Sequence, residues 1–351
     1  MKTSPSKTVS VLICSLNGAS RIGACIKSVY TQTIDTEHIE CIVVDDGSTD
    51  DTAQVATVAG AQVIRLETNK GIPIARNTAL AASTGEIVVF IDDDCIADPF
   101  WLERLITIFT NDDTVAAGGK ISAYRPMTLS ERYMEASGYG NPPHPSAIRI
   151  SGILGRLIRY IDTMFHPIME ETAPIATGEA YTANAAYRRS VIMQVGGFDE
   201  TLRTGEDSEI SARLRRIGKI MYVPDAIVYH QHYTTLQKVI GEPYRRSRDA
   251  FLTYAKQKSM PPIFPMACIF FVICFLIITS FISGKFIFVF LPILILSPII
   301  LYVWWPFRAI KEKHAEYILY PYIQLAIESG VMIGFLVAFI HILYHPKNMS
   351  S

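Results

Sequence analysis

The C-terminal part of the chain contains two runs of sequence that are too long and too apolar to lie exposed in water. Residues 263–283 and 286–307 carry no charged side chain, and only eight of the 65 charged residues follow residue 258. At about 1.5 Å per residue, a helix over either run would be roughly 30 Å long, which is the thickness of a bilayer's hydrocarbon core. We therefore expect a water-soluble domain over residues 1–258 and a membrane domain over residues 259–351.

A third apolar run, residues 317–344, has the length of a span but contains Glu328 and His341. An ionisable side chain inside a membrane is costly and often functional, which makes Glu328 a candidate functional carboxylate. Its neighbours Ser329 and Gly330 also allow a broken or interfacial helix. The sequence thus predicts two or three transmembrane helices, and the C-terminus lies outside if the third run crosses.

Basic side chains flank the pair of charge-free runs. Loops rich in Lys and Arg stay in the cytoplasm, so both ends of the pair belong there. The N-terminal apolar run is too short for a signal peptide. We expect a multi-pass protein of the inner or plasma membrane, with its first domain in the cytoplasm. The flanking cations are Lys238, Arg245, Arg246, Arg248, Lys256 and Lys258 before the first run, and Arg308, Lys311 and Lys313 after the second.

The charge balance and the cysteines exclude other classes. A formal net charge of -1 argues against nucleic acid as the main partner, because binding to phosphates needs a basic surplus. The six cysteines form no CxxC pair and show no disulfide framework, which favours reduced packing thiols.

The first ninety residues alternate between short β-branched runs and segments of helical character. This alternation predicts an α/β fold with a mainly parallel sheet. Ser48 and Thr49 are expected to cap a helix that Gly60 ends, Pro73 suits a first helical turn, and Asp98 before a proline marks another helix start. The predicted strands cover residues 9–16, 40–46, 62–67 and 86–94.

Two later segments have helical patterns. One helix is expected to begin near Glu206 and to stop at Gly218. The other covers residues 148–169, where apolar residues recur at helical spacing between arginines. It is either a core-facing helix with a solvated arginine side or a basic amphipathic helix on an anionic membrane surface.

Clusters of aspartate follow two of the predicted strands, Asp45-Asp46 and Asp92-Asp93-Asp94. Ligands of open parallel sheets bind outside the carboxyl ends of the strands. Three adjacent carboxylates repel one another unless a cation compensates, and Mg²⁺ or Mn²⁺ would leave positions free for phosphate. On a strand, Asp92 and Asp94 would point the same way, as a metal that holds a diphosphate requires. A solvated acidic turn is the alternative.

Several segments in order resemble the family 2 glycosyltransferases with the GT-A fold. VSVLICSLNGASRIGACIKSVYTQT is similar to the family's first strand and helix, ECIVVDDGSTDDT to its second strand and turn, and NKGIPIARNTALAASTGEIVVFIDDDCIADPFWLERL to its metal strand with flanking helices. TANAAYRRSVIMQVGGFDE and GEDSEISARLRRIG resemble its acceptor-side segments. The resemblance covers roughly residues 7–235 and implies a GT-A nucleotide-sugar transferase domain followed by C-terminal transmembrane helices.

The resemblance implies a site for a nucleotide-sugar donor, either UDP- or GDP-linked. Asp46, with Asp45, would bind the base, and Arg76 and Asn77 would reach the base or the diphosphate. The full set of implied donor-binding residues is Cys14, Ser15, Asn17, Asp45, Asp46, Arg76, Asn77 and Asp93.

The resemblance also implies metal ligands and a general base. Asp92 and Asp94 match the DxD motif that binds Mn²⁺ or Mg²⁺, and His230 is a further candidate metal ligand or phosphate contact. His232 could share a strand face with His230. Asp207, beside Glu206, matches the general base of an inverting single displacement, although a helix cap is the other interpretation. Asn184 is either an acceptor-side residue or a turn residue.

One departure from the family narrows the expected function. Processive members carry a QxxRW motif, whereas this chain has EPYRRSRDAF after residue 241. We expect a single-addition enzyme that acts on a lipid-linked or membrane-associated glycan acceptor in polysaccharide or glycolipid synthesis. A polyprenyl-phosphate sugar transferase is the alternative within the family, and a non-catalytic membrane scaffold is the alternative outside catalysis.

Overall fold

The computed structural model describes residues 9–143, 145, 152–165, 170–231, 234–256, 265–282 and 287–344. The expectations for His232 and Lys258 lie outside these residues. The chain divides into two compact units. Unit 1 contains Met1–Pro126, Met134–Ser146 and His166–His232, and unit 2 contains Met127–Tyr133, Ala147–Phe165 and Tyr233–Ser351. The predicted domain division at residue 258 stays a prediction.

Unit 1 is built on a mixed sheet, to which the described residues contribute nine strands in the order β3-β2-β1-β4-β8-β6-β9-β5, with β7 beside β9. The first three strands and β4 are parallel neighbours, as the alternating sequence predicts. β8 then runs antiparallel to β4 and β6. The strands are β1 Val9–Ser15, β2 Ile39–Asp45, β3 Gln62–Arg65, β4 Ile87–Ile91, β5 Cys95–Ala97, β6 Thr114–Ala123, β7 Ile175–Thr177, β8 Asn184–Arg188 and β9 Lys219–His230.

Helices cover both faces of this sheet, so its central strands are buried and read as continuous apolar runs. One core cluster joins the sheet to α1 and α4, and the other joins it to α3, α7 and α8. The helices of unit 1 are α1 Ile22–Val29, α2 Thr52–Val58, α3 Ile72–Ala82, α4 Trp101–Thr107, α7 Arg189–Gln194 and α8 Glu206–Leu214, while α5 Leu129–Ser137 begins in unit 2 and ends in unit 1.

Two predicted helix starts are wrong by a few residues. α2 begins at Thr52 rather than after Ser48, because the Asp50 carboxylate accepts the Thr52 N–H at 3.1 Å. α4 begins at Trp101, because the Asp98 side chain accepts the Phe100 N–H in a turn before the helix. The expected roles of Gly60, Pro73 and Glu206 as helix-end residues agree with the observed elements, whereas α8 ends at Leu214, four residues before the expected stop at Gly218.

Unit 2 is helical in the residues that the structure describes. The predicted amphipathic helix over 148–169 is α6 Gly152–Phe165, and the remaining helices are α9 Leu236–Lys256, α10 Pro265–Ile282, α11 Ile287–Leu301, α12 Trp304–Glu312 and α13 Tyr320–Tyr344. The second predicted span, 286–307, is not one straight helix, because the chain bends by 70° between α11 and α12. Pro306 lacks an N–H to continue the helical ladder and fits the first turn of a new helix.

By length and composition, one of the described helices is able to cross a membrane, at Tyr320–His341 with a mean hydropathy of 2.0. The bent pair Pro292–Leu301 and Trp304–Glu312 adds a second if it is one broken span, and Met266–Phe275 is a shorter apolar helix. The predicted multi-pass arrangement therefore stays a prediction.

Glu328 lies on α13, which runs unbroken through Ser329 and Gly330. Its carboxylate accepts hydrogen bonds from the hydroxyls of Tyr160 and Tyr302 at 2.6 and 2.7 Å and from the Gln324 amide at 3.0 Å. The side chain is buried. These contacts support a packing role for Glu328, since a buried carboxylate must be hydrogen-bonded.

α9 packs alongside α13 in the same direction. Gly330 lies against Ile240 and Tyr244, and Gly334 lies against Tyr244, Ser247 and Arg248. One step further along both helices, the rings of Phe251 and Phe339 have centroids 6.2 Å apart. The two glycines let the helix backbones approach closely, as small residues do at helix interfaces.

Candidate active site

The carboxyl ends of β1, β2 and β4 meet at one edge of the sheet. Ser15 is in register with Asp45 across parallel strands, and β4 is the other parallel neighbour of β1. The side chains that follow these strands are therefore brought to one place, as the sequence predicts.

The triplet of aspartates after β4 lies in a turn, not on the strand, since β4 ends at Ile91 and Cys95 N donates back to Asp92 O at 3.1 Å. The expected strand alternation therefore does not orient these side chains. Asp92 Oδ1 lies 3.7 Å from Arg76 Nη2, and Asp94 Oδ1 lies 3.3 Å from His230 Nε2. In this turn, the carboxylates of Asp92 and Asp94 therefore lie near two different side chains.

The middle carboxylate of the triplet is occupied by residues of the β1–α1 loop. Arg21 Nε donates to Asp93 Oδ1 at 2.8 Å and Arg21 Nη2 donates to Oδ2 at 3.0 Å. The Ser15 hydroxyl also donates to Oδ2. Asp93 and Ser15 are both buried, so these two residues expected in the donor site are used in holding the turn.

Asp94, Cys95 and His230 bring one potential ligand atom each to within 4.8 Å of one another, among the residues that the structure describes. Strand pairing explains this, since Cys95 on β5 lies opposite His230 on β9. Burial raises the pKa of the Cys95 thiol well above its usual value. Mn²⁺ and Mg²⁺ prefer the carboxylate oxygen of Asp94, whereas thiolate sulfur suits softer metals.

The two aspartates after β2 are buried and shape the loop around them. Asp46 accepts the backbone N–H groups of Lys70 and Gly71 at 2.7 and 3.0 Å. Asp45 Oδ1 accepts the Ser48 N–H at 2.9 Å, while Oδ2 lies 3.5 Å from Arg65 Nε without a hydrogen bond. A contact of either residue with a nucleotide base stays a prediction.

Cys14 and Asn17 border the same loop. Burial raises the pKa of the Cys14 thiol to about 12, and the positive charge of Arg76 offsets part of that rise. Asn17 has a φ of 53°, and its Oδ1 accepts the Thr49 N–H at 2.9 Å. Asn17 thus ties the loop after β1 to the loop after β2.

Arg76 on α3 is a buried cation shared by several carboxylates. It forms a close ion pair with Glu206 and lies 3.4 Å from Asp207 Oδ1. Its guanidinium also lies 5.6 Å from the centroid of the Phe198 ring. Since Arg76 faces Asp92 as well, one guanidinium joins the turn after β4 to the start of α8.

Asp207 lies in the first turn of α8, after Gly205 in the left-handed conformation. The Thr182 hydroxyl donates to its Oδ1 at 2.8 Å. Burial raises the pKa of Asp207 to about 7, with Arg76 opposing the rise and Glu206 adding to it. A carboxylate with this pKa can take up a proton near neutral pH.

The amides of Asn77 and Asn184 are used inside the fold. Asn77 holds the backbone N–H and C=O of Phe198 at 2.8 and 2.9 Å. Asn184 accepts from Trp101 Nε1 at 2.7 Å and donates to Ala226 O at 2.9 Å, with 1% of its surface exposed. These contacts give Asn184 a packing role, and its contact with an acceptor stays a prediction.

Sequence reasoning missed Arg21 and Thr182. Arg21 immediately precedes α1, so a cation at the start of the helix after β1 was a signal that could have pointed to the aspartate turn. No pattern in the sequence marks Thr182, because only the folded chain brings its hydroxyl to Asp207.

Comparisons with known proteins agree with this architecture. A sequence profile described as "Glycosyl transferase family 2" matches residues 10–196. The chain is 33% identical over 243 residues to the pre-mycofactocin glycosyltransferase of Mycobacterium tuberculosis. The aligned region covers 67% of this chain and 45% of that protein. It is 28% identical over 236 residues to the glycosyltransferase AglE of Haloferax volcanii, covering 65% of this chain and 68% of that one.

Among solved structures, the mannosyltransferase PcManGT from Pyrobaculum calidifontis shares the fold with a TM-score of 0.59 at 17% sequence identity, covering 95% of this chain and 88% of that one. The sheet of unit 1 is therefore the GT-A fold expected from the sequence. The match with the family profile extends over more than half of the chain. The chain belongs to glycosyl transferase family 2.

Proposed function

We propose that the protein is an inverting, metal-dependent glycosyltransferase. It moves a sugar from a UDP- or GDP-linked donor to a lipid-linked or membrane-associated glycan. The observation that carries this proposal is the buried Arg76, which lies between Asp92 and Asp207. One side chain thereby lies against both a proposed metal ligand and the proposed base.

Asp207 is the proposed general base. Its carboxylate would accept the proton of the acceptor hydroxyl as that oxygen attacks the anomeric carbon opposite the leaving diphosphate. Thr182 orients the carboxylate through its hydrogen bond, and Arg76 favours its charged form. Such a single displacement inverts the anomeric configuration, and no enzyme nucleophile takes part.

Asp92, Asp94 and His230 are the proposed metal ligands, and Asp94 Oδ1 lies 3.3 Å from His230 Nε2. When bound, Mn²⁺ or Mg²⁺ would neutralise the charge that builds on the departing nucleoside diphosphate. The structural neighbour PcManGT is described in complex with GDP-Man and Mn²⁺, which supports a divalent ion and a nucleotide-sugar donor in this fold.

The apolar helices of unit 2 are the proposed membrane anchor, which keeps the enzyme at the inner or plasma membrane. α13 has the length and hydropathy of a span, and the bent pair of α11 and α12 offers a second. The basic side chains after the second apolar run favour a cytoplasmic catalytic domain. A membrane-held enzyme would meet its acceptor in the same bilayer.

The test uses the purified full-length protein with a panel of nucleotide sugars and lipid-linked acceptors. Asp207→Asn is expected to keep donor binding and to lose transfer, while Glu209→Gln on the same helix keeps both, because Glu209 pairs with Arg213. Product NMR should show an inverted anomeric centre.

Other outcomes favour the alternatives. Retained transfer by Asp207→Asn to a polyprenyl phosphate would favour the polyprenyl-phosphate sugar transferase, because an ionised phosphate needs no base. Donor binding without transfer to any acceptor would favour a non-catalytic scaffold.

A further inference from the structure

The three aspartates after β4 are each held by a different side chain, and the middle one is held most tightly. Arg21 meets both oxygens of Asp93 through two parallel hydrogen bonds of 2.8 and 3.0 Å. Such fork-to-fork pairs are both stronger and more directional than single contacts. Asp93 is 7% exposed, so its charge depends on this partner.

The loop that carries Arg21 is folded tightly around the Asp93 carboxylate. Gly18 has no room for a Cβ, which would overlap Asp93 Oδ2 and Ser15 Oγ. The Gly18 carbonyl accepts the Arg21 N–H at 3.0 Å, and Arg21 Nη1 donates to the Asn17 carbonyl at 3.2 Å. Hydrogen bonds therefore fix Arg21 both at its backbone N–H and at its guanidinium.

The same loop is bound on its other side to the segment that follows β2. The N–H of Asn17 donates to Ser48 Oγ, and the N–H of Gly18 donates to Thr52 Oγ1, both at 2.8 Å. The N–H of Ala19 donates to Asp50 Oδ2 at 3.2 Å. The loop thus links the segment after β2 to the turn after β4.

We propose that Arg21 is a positioning residue that acts as the built-in counter-ion of the aspartate turn. It takes Asp93 out of metal and donor binding, while Asp92 and Asp94 lie against Arg76 and His230. One of three adjacent charges is neutralised before any metal binds. This inference rests on the proposed function only in assigning Asp92 and Asp94 to a metal and a nucleotide.

The experiment compares the full-length protein in detergent with Arg21→Ala, Asp93→Asn and the double variant. Thermal midpoints are measured without metal and with Mn²⁺ alone. Arg21→Ala leaves a buried carboxylate unpaired, so its metal-free midpoint should fall by roughly 5 to 10 °C. The double variant removes both charges and should recover at least half of that loss.

The rise in midpoint on adding Mn²⁺ separates a counter-ion from a merely structural side chain. This rise should be larger for Arg21→Ala than for the parent, because the metal then also compensates the third carboxylate. Equal rises, or a double variant no more stable than Arg21→Ala, would overturn the proposal. If Arg21→Ala does not fold, Arg21→Lys provides the comparison. Its retained charge should keep the parent's Mn²⁺ response. Its metal-free thermal midpoint should fall, because lysine cannot form the two parallel hydrogen bonds to Asp93.

Arg104→Ala is the matched control. Arg104 lies 3.5 Å from Asp98 and donates to the Asp225 carbonyl at 2.8 Å, in the same unit but outside the triplet and its partners. Its Mn²⁺ response should equal that of the parent. A parent that binds neither Mn²⁺ nor a nucleoside diphosphate would refute the proposed function, whereas the metal-free rescue of Arg21→Ala by Asp93→Asn would still test the counter-ion.

Discussion

The guanidinium of Arg76 lies 3.4 Å from the carboxylate of Asp207, although 130 residues separate them in the chain. α3 supplies the cation and α8 supplies the acid, and both are packed against the same face of the sheet. Because Asp92 and Glu206 also face this guanidinium, its removal would leave several carboxylates without their shared cation.

Arg76→Met is therefore expected to destabilise the folded protein. Breaking a buried ion pair typically costs about 3–5 kcal/mol in unfolding free energy. Lys219→Met is the control, because its pair with Asp113 is exposed and should contribute less than about 1 kcal/mol. Denaturant titration followed by circular dichroism measures both. Equal stabilities of the two variants would show that Arg76 is not the cation that holds these acids.

Transfer is expected to depend on pH through Asp207. With a pKa raised to about 7, the carboxyl is protonated below neutrality and cannot accept a proton. The kcat/KM for the acceptor, which reports the pKa of the free enzyme, should fall about tenfold per pH unit below that value. A rate that stays constant down to pH 5 would contradict the assignment.

Removing the Thr182 hydroxyl should move this pH profile. The hydroxyl favours the charged form of Asp207, so Thr182→Val raises the pKa and shifts the inflection upwards by roughly half to one pH unit. Thr182→Ser keeps the donor and should restore the parent profile. An unchanged inflection in Thr182→Val would mean that this hydrogen bond does not tune the base.

The dependence of activity on Mn²⁺ concentration should show whether His230 or Cys95 binds the metal. His230→Ala removes a proposed ligand and should raise the Mn²⁺ concentration for half-maximal activity at least tenfold. Cys95→Ala should leave it unchanged, because sulfur is a soft ligand and Mn²⁺ prefers oxygen ligands. The reverse pattern in a manganese titration would make the sulfur the ligand.

The contact between α9 and α13 depends on Gly334. A Cβ at this position would lie 2.6 Å from Tyr244 O and would overlap Ser247 Oγ, so Gly334→Ala should cost about 1–3 kcal/mol. Gly241→Ala on α9 has open space around it and should be neutral or stabilising by up to about 1 kcal/mol. Thermal midpoints of both variants in one detergent make the comparison, and a harmless Gly334→Ala would mean that the helices lie further apart.

The parallel part of the sheet and the place of the acidic clusters follow from local patterns. β1, β2, β3 and β4 are short β-branched runs, and runs of this kind form buried parallel strands. The family resemblance supplied the order of the later segments. These features depend on residues close in sequence or on spacing within one element.

The partners of individual side chains were not predictable in the same way. Asp93 was expected in the donor site, but its partner Arg21 comes from a loop 72 residues earlier. Asn184 was expected near the acceptor, but Trp101 and the sheet backbone use its amide. Such pairings arise only when the sheet is assembled, and a single sequence does not contain them.

The pairing of α9 with α13 has a consequence for how the chain is made. α9 leaves the ribosome before α10, α11 and α12, and its buried side chains Val239 and Ser247 belong to a unit that is still incomplete at that time. The neighbour with which its backbone makes close contact, at Gly330 and Gly334, is synthesised after these three helices. A nascent chain therefore holds α9 without this partner until α13 emerges, and a truncation before residue 320 would leave that face of α9 permanently uncovered.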